Sequence, residues 1–163
     1  NGTIQYRFTK SGKMVKASDA NMIKKIGLEN YRKLIACCIE IQKHILDTTN
    51  CPATGTFFDY RGSTLNWCPI GRSASLEDRL VWVDIDREKS IRLKCLHMLR
   101  SSLDKNKIKN TDIKLGGDTS FDIFPVGWDK TYVEAFLISD VWGNFFCKLQ
   151  IFHICFIEKF FFF

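Results

Sequence analysis

The segment from Leu28 to Ile45 repeats apolar residues three and four positions apart, a spacing typical of an amphipathic helix. The apolar stripe of that helix consists of Leu28, Tyr31, Leu34, Ile35, Cys38, Ile41 and Ile45. Such a stripe is stable in water only when another element covers it. The segment therefore predicts a helix that packs against a sheet or a second helix.

Short runs with β-strand character lie before and after this helix. IQYRF and KMVKA, separated by Ser11-Gly12, predict one hairpin. TFFDY and TLNWCPI predict a second hairpin with Arg61 exposed at its turn. DIKLGG and TSFDIFP, on either side of Asp118, predict a third pair of strands.

The last of these runs has one apolar and one polar face. Side chains alternate along a strand, so Phe121 and Ile123 point to one side of the sheet while Ser120 and Asp122 point to the other. The first pair belongs to a core. The second pair lies on a free face where a ligand could bind.

Further helices are predicted on both sides of the second hairpin. Ser75 is followed by two acidic residues, which are stabilised in the first turn of a helix by its dipole. A longer helix is expected from about Arg87 to Leu103, and Ser18 and Asp19 are candidate caps of a short early helix. Together the elements predict an α+β fold, with an antiparallel β-sheet and helices packed on one face.

Composition limits the classes of function. The chain has 163 residues, with 24 Lys and Arg against 18 Asp and Glu, and so a net charge of +6. This length fits one domain, and the positive charge suits an anionic ligand. No nucleic-acid motif and no run of about 20 apolar residues is present, so neither nucleic acid nor a membrane is an expected partner. The seven cysteines lack zinc-site or disulfide spacing, which favours a cytoplasmic location.

Three arginines, Arg61, Arg72 and Arg79, lie around a Pro-Ile-Gly turn. The guanidinium group is planar, stays protonated in proteins and donates hydrogen bonds in pairs. Three such groups that converge on one place suit a dianionic phosphate better than a neutral ligand. The sequence therefore predicts a phosphorylated substrate.

Two runs of the sequence, RGSTLNWCPIGRSASLEDR and GGDTSFDIFPVGWDK, resemble the eukaryotic α-phosphomannomutases of the haloacid-dehalogenase-like superfamily. The likeness extends back through GTFFDY and NGTIQY and forward to about Tyr132. It implies that residues 18–128 form the family's mobile cap domain, which closes over a Rossmann-like core largely missing from this sequence. Residues 1–17 would be a remnant of the hairpin at the hinge, and residues 129–135 the start of the return to the core.

The resemblance also implies roles for individual residues. Arg61, Arg72 and Arg79 would hold the phosphate distal to the reaction. Ser120 and Asp122 would bind phosphate or sugar hydroxyls. Lys130, in Gly-Trp-Asp-Lys, resembles the superfamily lysine that offsets the charge of the transferring phosphoryl group.

The activity implied is the interconversion of mannose 6-phosphate and mannose 1-phosphate for GDP-mannose synthesis, with Mg²⁺ as cofactor and a hexose bisphosphate activator. The family also pairs its caps into homodimers, which makes Phe57 a candidate contact. Asp84 and Asp86 have the spacing of the family's nucleophile motif but are expected between two helical stretches, so the isolated chain is expected to be inactive. A non-catalytic sugar-phosphate-binding or dimerisation module is the alternative.

The aromatic tail from Phe136 to Phe163 departs from the family's pattern and has no clear period. We interpret it as translated noncoding sequence, from a retained intron or a misassembled gene model. A membrane anchor is the rival interpretation, but charged residues such as Lys148, Glu158 and Lys159 interrupt it.

Overall fold

A computed structural model describes residues 4–129, apart from several side chains of the first hairpin. The elements in chain order are β1 (Ile4–Phe8), β2 (Met14–Asp19), α1 (Met22–Ile26), α2 (Leu28–Thr48), β3 (Phe58–Tyr60), β4 (Leu65–Trp67), α3 (Leu76–Lys89), α4 (Ile91–Lys105), β5 (Thr111–Gly116) and β6 (Ser120–Pro125). No helix in this range is long and apolar enough to cross a membrane.

The strands form two antiparallel sheets. β1 pairs with β2 as a separate hairpin, and the other four strands form a sheet in the order β3-β4-β6-β5. The three predicted hairpins are therefore confirmed, and the two later ones join through the pairing of β4 with β6. The α+β class with an antiparallel sheet is likewise confirmed.

One face of the four-stranded sheet forms the core together with the helices. The Trp67 ring is fully buried and stacks on Phe121, with ring centroids 4.6 Å apart. Leu34 and Ile41 of α2 and Leu99 of α4 are buried in the same cluster. The predicted stripe on α2 is thus covered, except at its first residue, Leu28, which is 61% exposed because it begins the helix.

A buried amide connects α2 to the sheet. Gln42 Oε1 accepts a hydrogen bond from Trp67 Nε1 at 2.7 Å, and Gln42 Nε2 donates to the Pro69 carbonyl at 2.9 Å. Gln42 is only 5% exposed, so both ends of its amide need these partners. The contact fixes the loop that follows β4 against the core.

Three cysteines lie buried on helices. Cys37 and Cys38 belong to α2 and Cys95 to α4. Burial raises the pKa of Cys95 to about 11 and raises the pKa of Cys38 further. Thiols with such pKa values stay protonated near neutral pH and act as small apolar residues.

The start of α3 is confirmed at Ser75, but the predicted caps of the short early helix were wrong. Ser75 Oγ accepts from the Asp78 N–H, and Asp78 Oδ2 accepts from the Ser75 N–H, which forms a capping box. Ser18 and Asp19 instead end β2, and Asn21 caps α1 through a 2.9 Å bond to the Lys24 N–H. Strand β2 therefore ends later, and helix α1 begins later, than the polar residues Ser18 and Asp19 indicated.

Replacing Ser75 with alanine should lower the free energy of unfolding by about 1 kcal/mol, because the Asp78 N–H at the start of α3 loses its acceptor, Ser75 Oγ. Urea denaturation followed by circular dichroism measures this change. Ser73→Ala, at an exposed serine of the preceding loop, is the control and should leave the midpoint unchanged. Equal shifts in both variants would contradict the capping role.

The boundary between α3 and α4 differs from the prediction. Ser90 adopts a left-handed conformation, with φ 51° and ψ 43°, and separates the two helices without a loop. Arg87 therefore belongs to α3, and Asp84 and Asp86 lie within α3 instead of between two helical stretches. A left-handed residue at the end of a helix is usually glycine. Because this position is a serine, the sequence does not mark the break.

Candidate functional site

The open face of the sheet carries a row of polar residues, one from each strand. The register places Asp59 of β3 opposite Asn66 of β4, Asn66 opposite Asp122 of β6, and Asp122 opposite Lys114 of β5. Because neighbouring residues on each strand point to the core, these four point away from it. The four residues are successive register partners, so the row runs across the sheet from β3 to β5.

A cavity of ≈ 460 Å³ lies where this face meets α3 and the β5–β6 turn. All five residues with a predicted ligand role within the described range line it: Arg61, Arg72, Arg79, Ser120 and Asp122. These residues come from a hairpin turn, a loop, a helix and a strand, and only the fold brings them together. Lys130, the sixth candidate, lies outside the described residues.

Arg61 lies at the turn between β3 and β4. Its N–H donates to the Thr64 carbonyl at 2.8 Å, which closes the turn and directs the side chain over the sheet. Arg61 Nε donates to Asp59 Oδ2 at 2.9 Å, and the side chain is partly exposed, as predicted. Within the described residues the side-chain hydrogen bond of Arg61 uses Nε, which leaves both terminal nitrogens for a ligand.

Arg72 follows the tight turn that ends at Gly71. Arg72 Nη1 donates to Asn66 Oδ1 at 2.7 Å, and Nε lies 3.5 Å from Asp59 Oδ2. Asp59 therefore lies between two guanidinium groups and reduces their mutual repulsion. Exposed ion pairs of this kind contribute little stability, so an incoming anion can compete with the carboxylate.

Arg79 projects from the first turns of α3 and joins three parts of the site. Its Nε donates to the Ala74 carbonyl at 3.2 Å and its Nη2 to the Arg72 carbonyl at 3.2 Å. Its Nη1 reaches Thr119 Oγ1 in the β5–β6 turn at 3.4 Å. These contacts hold the guanidinium at the cavity wall before any ligand binds.

Ser120 and Asp122 share the polar face of β6, as predicted. Ser120 Oγ donates to the Gly116 carbonyl at 2.7 Å, and Asp122 Oδ1 accepts from Asn66 Nδ2 at 2.8 Å. A Cβ atom on Gly116 would lie 2.9 Å from both Ser120 Oγ and Asp122 Oδ2. The absence of a side chain at Gly116 therefore makes room for the two polar groups.

A partly buried ion pair next to the cavity involves Asp86, half of the Asp-x-Asp spacing noted in the sequence. Asp86 Oδ2 accepts from Arg92 Nε at 2.7 Å, and Oδ1 accepts from the Arg92 N–H at 2.7 Å. Arg92 Nη1 then donates to the Gly117 carbonyl at 2.7 Å. Asp86 thus joins the start of α4 to the β5–β6 turn, which gives this carboxylate a structural role.

Sequence reasoning missed three residues of the site, namely Asp59, Asn66 and Thr119. Asn66 is 3% exposed and Thr119 is 8% exposed, and both contact the predicted arginines. The alternation of Leu65, Asn66 and Trp67 could have marked Asn66 as the outward residue of its strand. Its position beside Asp122 depends on a register that no local pattern contains.

Cys68 is buried, as expected of a small apolar residue, with its Sγ 3.7 Å from Thr119 Oγ1. His44 and His97 are exposed on helices. Phe57 is half-buried, and its carbonyl accepts from the Cys68 N–H at 2.8 Å. Its role in a dimer stays a prediction.

The arrangement can hold an anion that also carries hydroxyl groups. Three guanidinium groups face two carboxylates, Asp118 and Asp122, among the charged residues that line the cavity. Within residues 4–129 no three His, Cys, Asp or Glu side chains cluster as a metal site. The described residues therefore do not fit the Mg²⁺ that the resemblance implies.

Comparison with known proteins identifies the group to which this site belongs. The family model described as eukaryotic phosphomannomutase matches residues 1–151. The chain belongs to the eukaryotic phosphomannomutase family. The matched range runs past Tyr132, to which the motifs carried the resemblance, and includes the first part of the tail from Phe136.

Individual phosphomannomutases show the same relationship. The chain is 34% identical to human phosphomannomutase 1 over 140 residues, which cover 86% of this chain and 49% of that protein. It is 33% identical to the phosphomannomutase of Schizosaccharomyces pombe over 132 residues, covering 81% of this chain and 47% of that protein. It is 34% identical to the phosphomannomutase of Galdieria sulphuraria over 139 residues, which cover 84% of this chain and 50% of that protein. The chain spans about half the length of the curated relatives it matches.

Proposed function

We propose that the described part of the chain is the sugar-phosphate-binding cap of a phosphomannomutase, which interconverts mannose 6-phosphate and mannose 1-phosphate. The observation that carries this proposal is the convergence of Arg61, Arg72 and Arg79 on one cavity, in a chain of the eukaryotic phosphomannomutase family. In this role the cap binds the substrate, and the catalytic groups belong to a separate core.

The arginines suit the phosphate that is not reacting. A mutase that passes through a bisphosphate must hold one phosphate while the other is transferred, and it must then exchange them. Guanidinium groups bind phosphate through paired, charge-assisted hydrogen bonds without forming a covalent bond. Arg61 and Arg72 already lie on either side of Asp59, so a phosphate can take over the place of that carboxylate.

The sugar ring is assigned to the polar end of β6. Asp122 accepts from Asn66 through Oδ1, and a carboxylate has further lone pairs for hydroxyl donors. Ser120 lies beside it and can bind a hydroxyl or a phosphate oxygen. Hydroxyl groups would then distinguish a hexose phosphate from inorganic phosphate.

The chemical step requires groups that the described residues do not place at the cavity. Asp84 and Asp86 have the spacing of a nucleophile and its acid/base partner, but both lie in α3, and Asp86 is paired with Arg92. Lys130, Mg²⁺, a hexose bisphosphate activator and a homodimer contact at Phe57 remain parts of the proposal for the complete enzyme. The described cap supplies binding and orientation.

Replacing Arg72 with alanine should weaken the binding of mannose 1-phosphate by about 10- to 100-fold, because one charged donor is worth about 1.5–3 kcal/mol. Isothermal titration calorimetry on the full 163-residue chain measures the affinity. Arg87→Ala is the matched control, since this substitution removes the same charge from an exposed position on α3.

Two outcomes would count against the proposal. Equal losses in Arg72→Ala and Arg87→Ala would indicate a diffuse electrostatic attraction without a built site. Binding of inorganic sulfate as tight as that of mannose 1-phosphate would indicate a generic anion-binding protein. A saturable preference for the sugar phosphate, lost with Arg72, supports the cap function.

A further inference from the structure

Asn66 lines the cavity, and its side-chain amide connects a cation to an anion. Its Oδ1 accepts from Arg72 Nη1 at 2.7 Å, and its Nδ2 donates to Asp122 Oδ1 at 2.8 Å. A second contact of Nδ2, at 3.1 Å, is to Ser120 Oγ. The residue is 3% exposed, so water does not replace these partners easily.

The chemistry at this position requires a primary amide. An amide offers an acceptor oxygen on one side and donor hydrogens on the other, within one short side chain. A carboxylate would keep the contact with Arg72 but would repel Asp122. An apolar side chain would leave both charged neighbours without this partner. Neither substitute satisfies both ends at once.

We propose that Asn66 is a positioning residue that fixes the Arg72 guanidinium and the Asp122 carboxylate relative to each other. The inference rests on the proposed function, because it assigns the phosphate to Arg72 and the sugar hydroxyls to Asp122. Asn66 then couples the two ends of the site. A ligand that has both a phosphate and hydroxyl groups depends on this coupling, whereas inorganic phosphate uses only the arginine end.

The contacts on both sides support this role over simple filling of space. Asn66 lies on β4, the strand that pairs with both β3 and β6, so two ladders fix the backbone that carries its side chain. Arg72 comes from a loop and Asp122 from β6, and Asn66 contacts both. The distance between the two ligand-binding groups is therefore set by one side chain.

The test uses Asn66→Asp and Asn66→Ala in the full 163-residue chain, titrated with mannose 1-phosphate and with inorganic phosphate at pH 8 and pH 5. At pH 8 both variants should bind mannose 1-phosphate more than about tenfold more weakly than wild type, the effect of one lost charged contact. Their affinity for inorganic phosphate should change by less than about threefold, since Arg72 remains. Retained phosphate binding also shows that the variants fold.

Lowering the pH separates positioning from a general structural role. The ionisable groups that face position 66 are Asp59 of β3, Asp122 of β6 and Arg72 of the loop, with Lys114 of β5 beside Asp122. In Asn66→Asp the new carboxylate lies beside the Asp122 carboxylate, and the two can share one proton as the pH falls. The protonated group can donate across the gap, and mannose 1-phosphate binding should recover relative to wild type at pH 5.

Asn66→Ala has no group to protonate, so its deficit should be the same at both pH values. Taking the ratio to wild type at each pH removes the titration of the phosphate itself. Equal losses for both ligands, or a deficit in Asn66→Asp that does not recover at pH 5, would overturn the positioning role. Wild-type affinity in both variants would also overturn it while leaving the cap function intact. Failure of the wild-type chain to bind mannose 1-phosphate would instead refute the proposed function, and this inference with it.

Discussion

Replacing Gly71 with alanine is expected to destabilise the protein by about 2–5 kcal/mol and to disrupt the arginine cluster. Gly71 has φ +86°, which costs an L-residue energy, and its new Cβ would lie 2.1 Å from the Gly55 carbonyl oxygen. The same Cβ would lie 2.7 Å from Thr54 Oγ1. Because backbone atoms cannot move aside as a flexible side chain can, the loop that carries Arg72 must shift.

The control for this variant is Gly55→Ala, in the loop that Gly71 contacts. Gly55 has the same φ of +86°, but a Cβ there would meet nothing within 4 Å. Its expected loss is about 1 kcal/mol, from the backbone conformation alone. Chemical denaturation gives both values, and phosphate titration reports on Arg72. Similar stabilities for the two variants would show that the loop relaxes without strain.

The second large effect is expected at Trp67, where alanine should lower the free energy of unfolding by about 3–5 kcal/mol. The ring is fully buried, stacks on Phe121 at 4.6 Å and lies 6.1 Å from the Phe58 ring. Its removal leaves a cavity between the sheet and α2. Because Trp67 neighbours Asn66 on β4, weaker binding of mannose 1-phosphate should accompany the loss of stability.

Trp67→Phe separates packing from hydrogen bonding at the same position. Phenylalanine keeps an aromatic ring in the stack but cannot donate to Gln42 Oε1, which would remain buried without that partner. The expected loss is about 1–3 kcal/mol, the range for an unsatisfied buried polar group. Thermal and urea unfolding of the three proteins measure the difference. A loss for phenylalanine as large as that for alanine would assign the effect to the hydrogen bond alone.

The elements that could be predicted from the sequence are those with local signals. The stripe on α2 repeats over several turns, the hairpins are marked by alternation and short turns, and Ser75 starts α3 with a capping box. The division between α3 and α4 was missed because it depends on Ser90 alone, a residue that seldom adopts a left-handed conformation. The predicted caps Ser18 and Asp19 were wrong because both residues pair with β1, which extends β2 to Asp19.

The residues of the site likewise divide into those that the sequence predicted and those that it did not. Arginine spacing and the alternation along β6 indicated Arg61, Arg72, Arg79, Ser120 and Asp122, and the fold places all five at one cavity. The residues that position these five side chains were not predicted from the sequence and are seen only in the structure. Thr119 contacts Arg79, and Asn66 contacts Arg72, across separations of 40 and 6 positions respectively. Polar residues of ordinary composition acquire such roles through register, which a single sequence does not specify.

The pairing of β4 with β6 also determines when the cavity can exist during folding. Asn66 and Asp122 are 56 positions apart, whereas the partners within each hairpin are close neighbours in the chain. Closing the longer loop is entropically less favourable, and such long-range pairing is slow. A chain that has formed only its hairpins therefore has no complete site for an anionic ligand. Because the ligand binds only after β4 and β6 have paired, its binding stabilises the assembled sheet and not the separate hairpins.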